Sequence, residues 1–340
     1  MPVSAEPVGG PRPVMDAVVL TVGGVPVTRG EIRRWAERFD PRFGPRVARR
    51  AALSVIATDD ATLDAEVDAE VEELAAEFRY ARGLESAESL LRWTELQGIS
   101  VDDWWESLRI SVLERRAVDG EAAGPSDSEA SERDETTSDA DLVVTDLLAY
   151  ATEALARRSA VARALDRLPA AWAGDGTASP DAIDARHDTL ETTWDSWKQA
   201  ILDESALQRV VEHERLAWMV FDLLETHWAT AGAGREAVAC VRVDGLSLEE
   251  VAREAGVAIV ERSCLLGDLD GALRDALVAA AAGELVGPVE QAPQWVVCVV
   301  RAKRLPTLAE PLVRLAAEQA LESRGASPLV AEHVRRVAPV

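Results

Sequence analysis

Gly283 to Arg304 reads GELVGPVEQAPQWVVCVVRAKR, and this stretch decides what the C-terminal half of the chain is. Glycine and proline punctuate its first part, at Gly283, Gly287, Pro288 and Pro293. Trp295 then opens an apolar run that continues to Val300 and stops before Arg301, Lys303 and Arg304. A short β-branched run bounded by turn residues is the pattern of a strand covered on both faces. Proline fixes φ and removes a backbone donor, so Gly287-Pro288 is expected in a turn or at the start of an edge strand. On composition alone the stretch is an ordinary turn followed by a strand in an α+β domain.

The order of the residues is more specific than their composition. Gly283, Glu284, Leu285, Pro288 and Val289, then a polar gap, an apolar strand and a basic exit, resemble the C-terminal end of a parvulin-type (PpiC-like) peptidyl-prolyl isomerase domain. That family writes Gly-Glu-(Ile/Val/Leu)-x-x-Pro-Val, a turn, and then Gly-Tyr-His before a hydrophobic residue. Gln294 and Trp295 stand near the place of the Tyr-His pair. A second resemblance lies at the other end. Ala17 to Val22 is apolar and β-branched, Gly23 to Val27 turns, and Thr28 to Glu31 has the spacing of a capping box. VVLTVGGVPVTRGEI is similar to the opening of SurA- and PrsA-type chaperones, Val-Val-Asn-Gly-x-x-Ile-Thr-x-x-Glu. Gly23 replaces the asparagine, and Thr28 and Glu31 match. GISVDDWWESLR, from Gly98 to Arg109, resembles a helix start in the helical half of the same chaperones.

A chain of 340 residues is expected to form more than one packed unit. Its net charge of −24 repels phosphate, so nucleic acid is not an expected partner. No apolar stretch is long enough for a bilayer, and the N-terminus lacks a basic region followed by an apolar one. The expected location is therefore cytoplasmic, with no membrane partner. Cys240, Cys264 and Cys298 are an odd set without metal-site spacing, and the four histidines are scattered. No metal ligand or cofactor is expected.

The fold expected is α+β and mostly α-helical: a SurA-like helical chaperone module with a small, reduced parvulin-like β-α-β-α-β domain. Residues 1–15 are expected to be disordered. Residues 16–118 form the N-terminal helical module, including an amphipathic helix from Leu63 to Tyr80 whose stripe is Val67, Val71, Leu74 and Phe78. Residues 119–141, with nine acids and one base, read as a disordered acidic linker. Residues 142–234 read as a helical module, with helices over Leu142–Ala173, Asp181–Leu202 and from Asp203 to Trp228. Residues 235–305 form the parvulin-like domain, with strands at Ala237–Val243 and Val257–Arg262 and a helix over Leu269–Ala282. Residues 306–340 supply a helix from Leu308 to Ser323 and a strand at His333–Val337. The resemblance to SurA implies that these return to the N-terminal module, the last strand pairing near Ala17–Val22.

Rotation about a prolyl bond crosses a barrier of ~20 kcal/mol set by amide resonance. The resemblance implies a cleft with two histidines, the first in an Arg-(Ala/Val)-x-His-Ile-(Leu/Val) strand. Ala237–Val243, the strand expected there, has no histidine, and the last-strand histidine is absent too. Leu266-Gly267-Asp268-Leu269 is at most an echo of the family's glycine-rich loop. No catalytic residue is assigned. Trp93, Trp104, Trp105, Cys240, Leu285 and Trp295 are the peptide-binding candidates, large rings dominating such surfaces. Cys240 and Cys298 are placed on adjacent strands, facing one cleft or serving as small buried hydrophobes. The function this implies is a peptide-binding, chaperone-like protein without efficient isomerase catalysis. It is similar to actinobacterial PpiC-related "peptide maturation system" proteins, whose client would be a ribosomally made precursor peptide handed to a peptide-modifying enzyme. The alternatives are an active parvulin-type isomerase with an altered cleft and a structural subunit of a complex.

Overall fold

The computed structural model describes residues 14–57, 65–119, 139–145, 147–168, 179–269, 271–291 and 294–337. The N-terminal segment expected to be disordered lies outside them up to residue 13, as do residues 120–138 of the expected linker. The chain divides into two compact units, Met1–Ser196 with Ala326–Val340, and Trp197–Gly325.

The first unit begins with a tight hairpin. Strands β1 (Val18–Val22) and β2 (Val25–Thr28) are joined by Gly23 and Gly24, whose φ values of 58° and 89° suit a two-residue hairpin turn. Thr28 ends β2 and caps α1 (Arg29–Phe39): its side chain accepts from the Glu31 N–H, and Glu31 accepts from the Thr28 N–H. The capping box read from the sequence is therefore present. At the other end of the chain, the last strand (Val334–Arg336) pairs with the free side of β1, Leu20 opposite Arg336 and Val22 opposite Val334, as expected. The order is β2, β1, last strand.

Helices α2 (Phe43–Ala57), α3 (Ala65–Ala81), α4 (Ala87–Gln97) and α5 (Val101–Asp119) follow. Val67, Val71 and Phe78 of α3 are buried as the stripe requires. Ser86 caps α4, and Gly98 ends it in the left-handed region. Two boundaries differ from expectation. Asp139 to Asp141 are not linker but the start of α6 (Asp139–Val144), and Asp141 is 1% exposed. The helix expected from Leu142 to Ala173 is two, α6 and α7 (Leu147–Ala164). The reason is Arg50 on α2. It is itself 1% exposed, and its Nε and Nη2 donate to the two Asp141 oxygens, both at 2.5 Å. A buried guanidinium needs a counter-charge, and the acidic segment supplies it. α8 (Pro180–Ile201) and the long helix Pro311–His333 carry the chain across the division between units.

The second unit corrects the expected strand assignment. α9 is Glu204–His213, and the helix read on to Trp228 is instead β3 (Val220–Trp228). Ala237–Val243, expected as the first strand, is the second half of α10 (Ala231–Val243), capped by Thr230. Then come α11 (Leu248–Ala255), β4 (Ile259–Leu265), α12 (Gly271–Ala279), β5 (Leu285–Gln291) and β6 (Gln294–Arg304). The terminal helix Pro311–His333 is thus α13 and the terminal strand β7. The sheet is antiparallel, ordered β4-β3-β6-β5, so β-α-β-α-β becomes four strands with a pair of helices in the first crossover. The physical cause is burial. VFDLLETHW is apolar toward both sides, and Leu207, Val211, Trp218, Phe221 and Trp228 also fall near a helical stripe, so periodicity alone does not decide it. The Thr230 cap starts the helix that AVACVRV continues, and its inner side packs through Ala237, Val238 and Val241. The sheet therefore begins inside the region expected to be purely helical, and the units do not divide at residue 235.

The opening stretch keeps its reading. Val296, Val297, Cys298 and Val300 of β6 are at most 1% exposed, and Gly287-Pro288 lies in β5, an edge strand.

Candidate functional site

β3 and β6 form the middle of the second unit's sheet, so their alternating side chains set the chemistry of its two faces. On one face, Leu224, Trp228, Leu285 and Val297 pack under α10 and α11 through Ala237, Leu248 and Val251. Trp228 Nε1 donates to Thr226 Oγ1, which donates to the Val297 carbonyl, each at 2.9 Å, so the polar atoms there are paired. Half-buried Cys240 and Trp295 join this cluster. Leu285, Cys240 and Trp295 are thus brought together.

Trp93, Trp104 and Trp105 belong to the first unit. They form an aromatic chain with Phe78, with ring centroids 5.2 Å from Phe78 to Trp93, 5.7 Å from Phe78 to Trp104 and 5.8 Å from Trp104 to Trp105. Edge-to-face geometry of this kind is core packing. Trp104 is 2% exposed, while Trp93 and Trp105 are half-buried. The six candidates therefore fall into two clusters, three in each unit.

The sheet's other face lies under α12. Phe221, Leu223, Cys264, Val296, Cys298 and Val300 pack there with Leu273 and Leu277. Cys240 is on a helix against the opposite face, so it does not share a cleft with Cys298. Burial, followed by the charge of Glu225, pushes the Cys298 thiol up to about 12. Burial pushes Cys264 up to about 11. Neither is a thiolate near neutral pH, so neither is a ready nucleophile.

Two acids on β3 were not singled out in the sequence, because 60 acids hide them. Asp222 is fully engaged: Ser263 Oγ donates to Oδ1 at 2.7 Å, and Arg304 donates to both oxygens, at 2.6 and 3.1 Å. Glu225, directly opposite Cys298, is 2% exposed, and its Oε1 accepts no hydrogen bond among the described residues. Its Oε2 lies 3.7 Å from Arg262 Nη1 and 3.9 Å from His227 Nε2. The signal that marks both is a carboxylate inside an otherwise apolar strand.

Across β4, β3 and β6, a shallow depression of about 540 Å³ is lined by Asp222, Leu223, Glu261, Arg262, Ser263 and two further arginines, Arg301 and Arg304. Arg301 pairs with Glu249 at 2.5 Å, and Arg304 with Asp222 and Glu310. The Arg262 guanidinium forms an ion pair with Glu225 at 3.7 Å and makes no hydrogen bond to a described residue. Among the described residues no group of three histidine, cysteine or carboxylate side chains is placed to hold a metal ion, and no helix is long and apolar enough to cross a membrane. No family model matches the chain, and no curated protein matches it in sequence.

Proposed function

We propose that the chain is a chaperone-like, peptide-holding protein whose sheet unit resembles a parvulin domain that grips a client without isomerising it efficiently. The observation that carries this reading is the occupancy of β3. On the strand that comes first in chain order in that sheet, Val220 and Leu224 match the family's Arg-(Ala/Val)-x-His-Ile-(Leu/Val), while Met219 stands in the arginine place, Leu223 in the isoleucine place and Asp222 in the histidine place. Asp222 is locked by Ser263 and Arg304 and carries no ring. Near the second ring position stands Trp295, half-buried, where the family has a histidine. His227 lies five residues further along β3 than Asp222, opposite Val296 and at the rim.

The closure of the first unit supports the same reading. The two ends of the chain meet as β1 and β7, and the sheet unit is inserted between them, the arrangement that the resemblance to SurA implies. A ribosomally made precursor peptide as client and a modifying enzyme as recipient belong to this proposal through the resemblance alone, and a cytoplasmic setting belongs to it through the sequence reading.

The test has two arms. Anisotropy of fluorescein-labelled extended peptides is expected to rise on adding the protein. A chromogenic proline tetrapeptide is expected to isomerise at its buffer rate, because lowering a barrier of ~20 kcal/mol needs placed donors around the rotating amide. Rate enhancement abolished by Asp222→Ala would establish the active isomerase instead. No binding to any peptide would remove the proposal.

A further inference from the structure

We propose that the outer edge of β4 accepts an extended, acid-bearing peptide as a fifth strand of the sheet, with Arg262 as its anchor; this rests on the peptide-holding reading above and assigns its site. A terminal strand presents a row of unused N–H and C=O groups, a template for strand addition. The two edges of this sheet are not equivalent. β5 is backed by α10: Arg242 Nη2 donates to the Leu285 carbonyl at 3.1 Å, and Gly234 sits so close to Pro288 that a Cβ there would lie 2.8 Å from the ring. β4 pairs with β3 alone, and Ile259 to Ser263 form no other backbone hydrogen bond among the described residues. All five of these residues are exposed.

The side chains say which peptide fits. Successive residues of β4 face opposite ways, so Val260 and Arg262 share a face, opposite Glu225 and Leu223. Val260 is 42% exposed, a branched apolar contact two residues from a cation. Arg262 carries five N–H donors on its guanidinium, and none of them makes a hydrogen bond to a described residue. Its nearest carboxylate oxygen is 3.7 Å away. The other two arginines of the depression are engaged by Glu249, Asp222 and Glu310. In a chain of net charge −24, an exposed guanidinium beside an open strand edge, paired with Glu225 only at 3.7 Å and with no hydrogen bond to a described residue, selects an acid in the added strand. The expected register sets an aspartate or glutamate against Arg262 and a branched apolar residue two positions away against Val260.

The probe is a fluorescein-labelled peptide alternating threonine and valine around one central glutamate, with anisotropy as the readout. Arg262→Glu is expected to weaken its binding by about tenfold or more, and a lysine-centred peptide to bind wild-type protein less tightly by a similar factor. Methylating alternate backbone nitrogens of the peptide is expected to weaken binding too, since strand addition uses them. Hydrogen exchange at Ile259–Ser263 is expected to slow when the peptide is added. The thermal transition of Arg262→Glu, an exposed site, serves as the folding check. Equal binding by Arg262→Glu, with exchange at β4 unchanged by peptide, overturns the edge site and leaves the peptide-holding reading standing. Failure of wild-type protein to bind any peptide overturns both. A dimer in light scattering that Arg262→Glu dissociates assigns the edge to a second copy of this chain and also overturns the proposal.

Discussion

Asp141→Ala tests the logic by which the first unit is held together. Arg50 and Asp141 are each 1% exposed. The guanidinium donates twice to the carboxylate at 2.5 Å, while Ser107 Oγ donates to Asp141 Oδ1 at 2.6 Å. Arg50 also donates to Glu114 at 2.7 Å and to the Ser107 carbonyl and Ser111 hydroxyl, both at 3.1 Å. Burial alone would lower the Arg50 pKa, but the Asp141 hydrogen bond and charge, with help from Glu114, raise it above its usual value. Removing one partner of a buried pair costs about 3–5 kcal/mol. The lower end applies here, because Glu114 still neutralises the guanidinium, so a loss of about 3 kcal/mol is expected. For a unit of this size that is a fall in Tm of roughly 6–12 °C. Calorimetry gives the shift, and hydrogen exchange at α2 and α5 assigns it to the first unit. The paired change Arg50→Met with Asp141→Leu is expected to recover most of the loss, since apolar replacement of a buried pair is often neutral or better. A loss below about 1 kcal/mol for Asp141→Ala would refute the argument that the acid is a structural counter-ion.

Two further outcomes follow from single residues. Burial, then the charge of Arg186, lowers the pKa of His187 from 6.5 to about 4. The unfolded chain therefore takes up that proton first: stability is intact above about pH 6.5 and falls by about 3 kcal/mol as pH drops toward 4. His187→Gln should flatten this slope in urea titrations over that window, and an unchanged slope would count against it. Gly287 has φ of +115°, and a Cβ there would lie 2.5 Å from the Val296 carbonyl oxygen. Gly287→Ala is expected to cost about 3 kcal/mol in chemical unfolding, through backbone strain and displacement of β6; a loss under about 1 kcal/mol would show that β5 moves freely.

The parts of the fold that were legible in the sequence are those governed by local chemistry. Thr28 and Glu31 announced the capping box, Gly98 the end of α4, and the α3 stripe its buried side. Val296 to Val300 announced a covered strand because β-branched residues between turn signals have few other uses. The pairing of β7 with β1 joins residues some 300 apart, which no local pattern shows; it was expected only through the resemblance to SurA. VFDLLETHW failed for the opposite reason. Its residues satisfy a strand buried on both faces and sit close enough to a helical stripe, and only packing between α12 on one side and α10 and α11 on the other decides.

The candidate site was harder to read, because its polar members are defined by where they end up and not by what they are. Asp141, Asp222 and Glu225 are three carboxylates among 60 acids. One neutralises a buried arginine, one is locked across the sheet by Ser263 and Arg304, and one is buried with an oxygen that accepts no hydrogen bond among the described residues. Charge counting treats them alike, and burial separates them. The same holds for the tryptophans. Ring size made Trp93, Trp104 and Trp105 attractive as contacts, yet a large ring gains as much from a core as from an interface. Exposure inverts the ranking: Trp104 is interior, while Arg262, unremarked in the sequence, keeps a guanidinium that makes no hydrogen bond to a described residue, on a strand that pairs on one side only among the described residues. A peptide binder recognised this way depends on backbone groups that every residue possesses. The proposed binding edge would therefore carry no signature in the amino-acid order beyond one strand that, among the described residues, pairs on one side only.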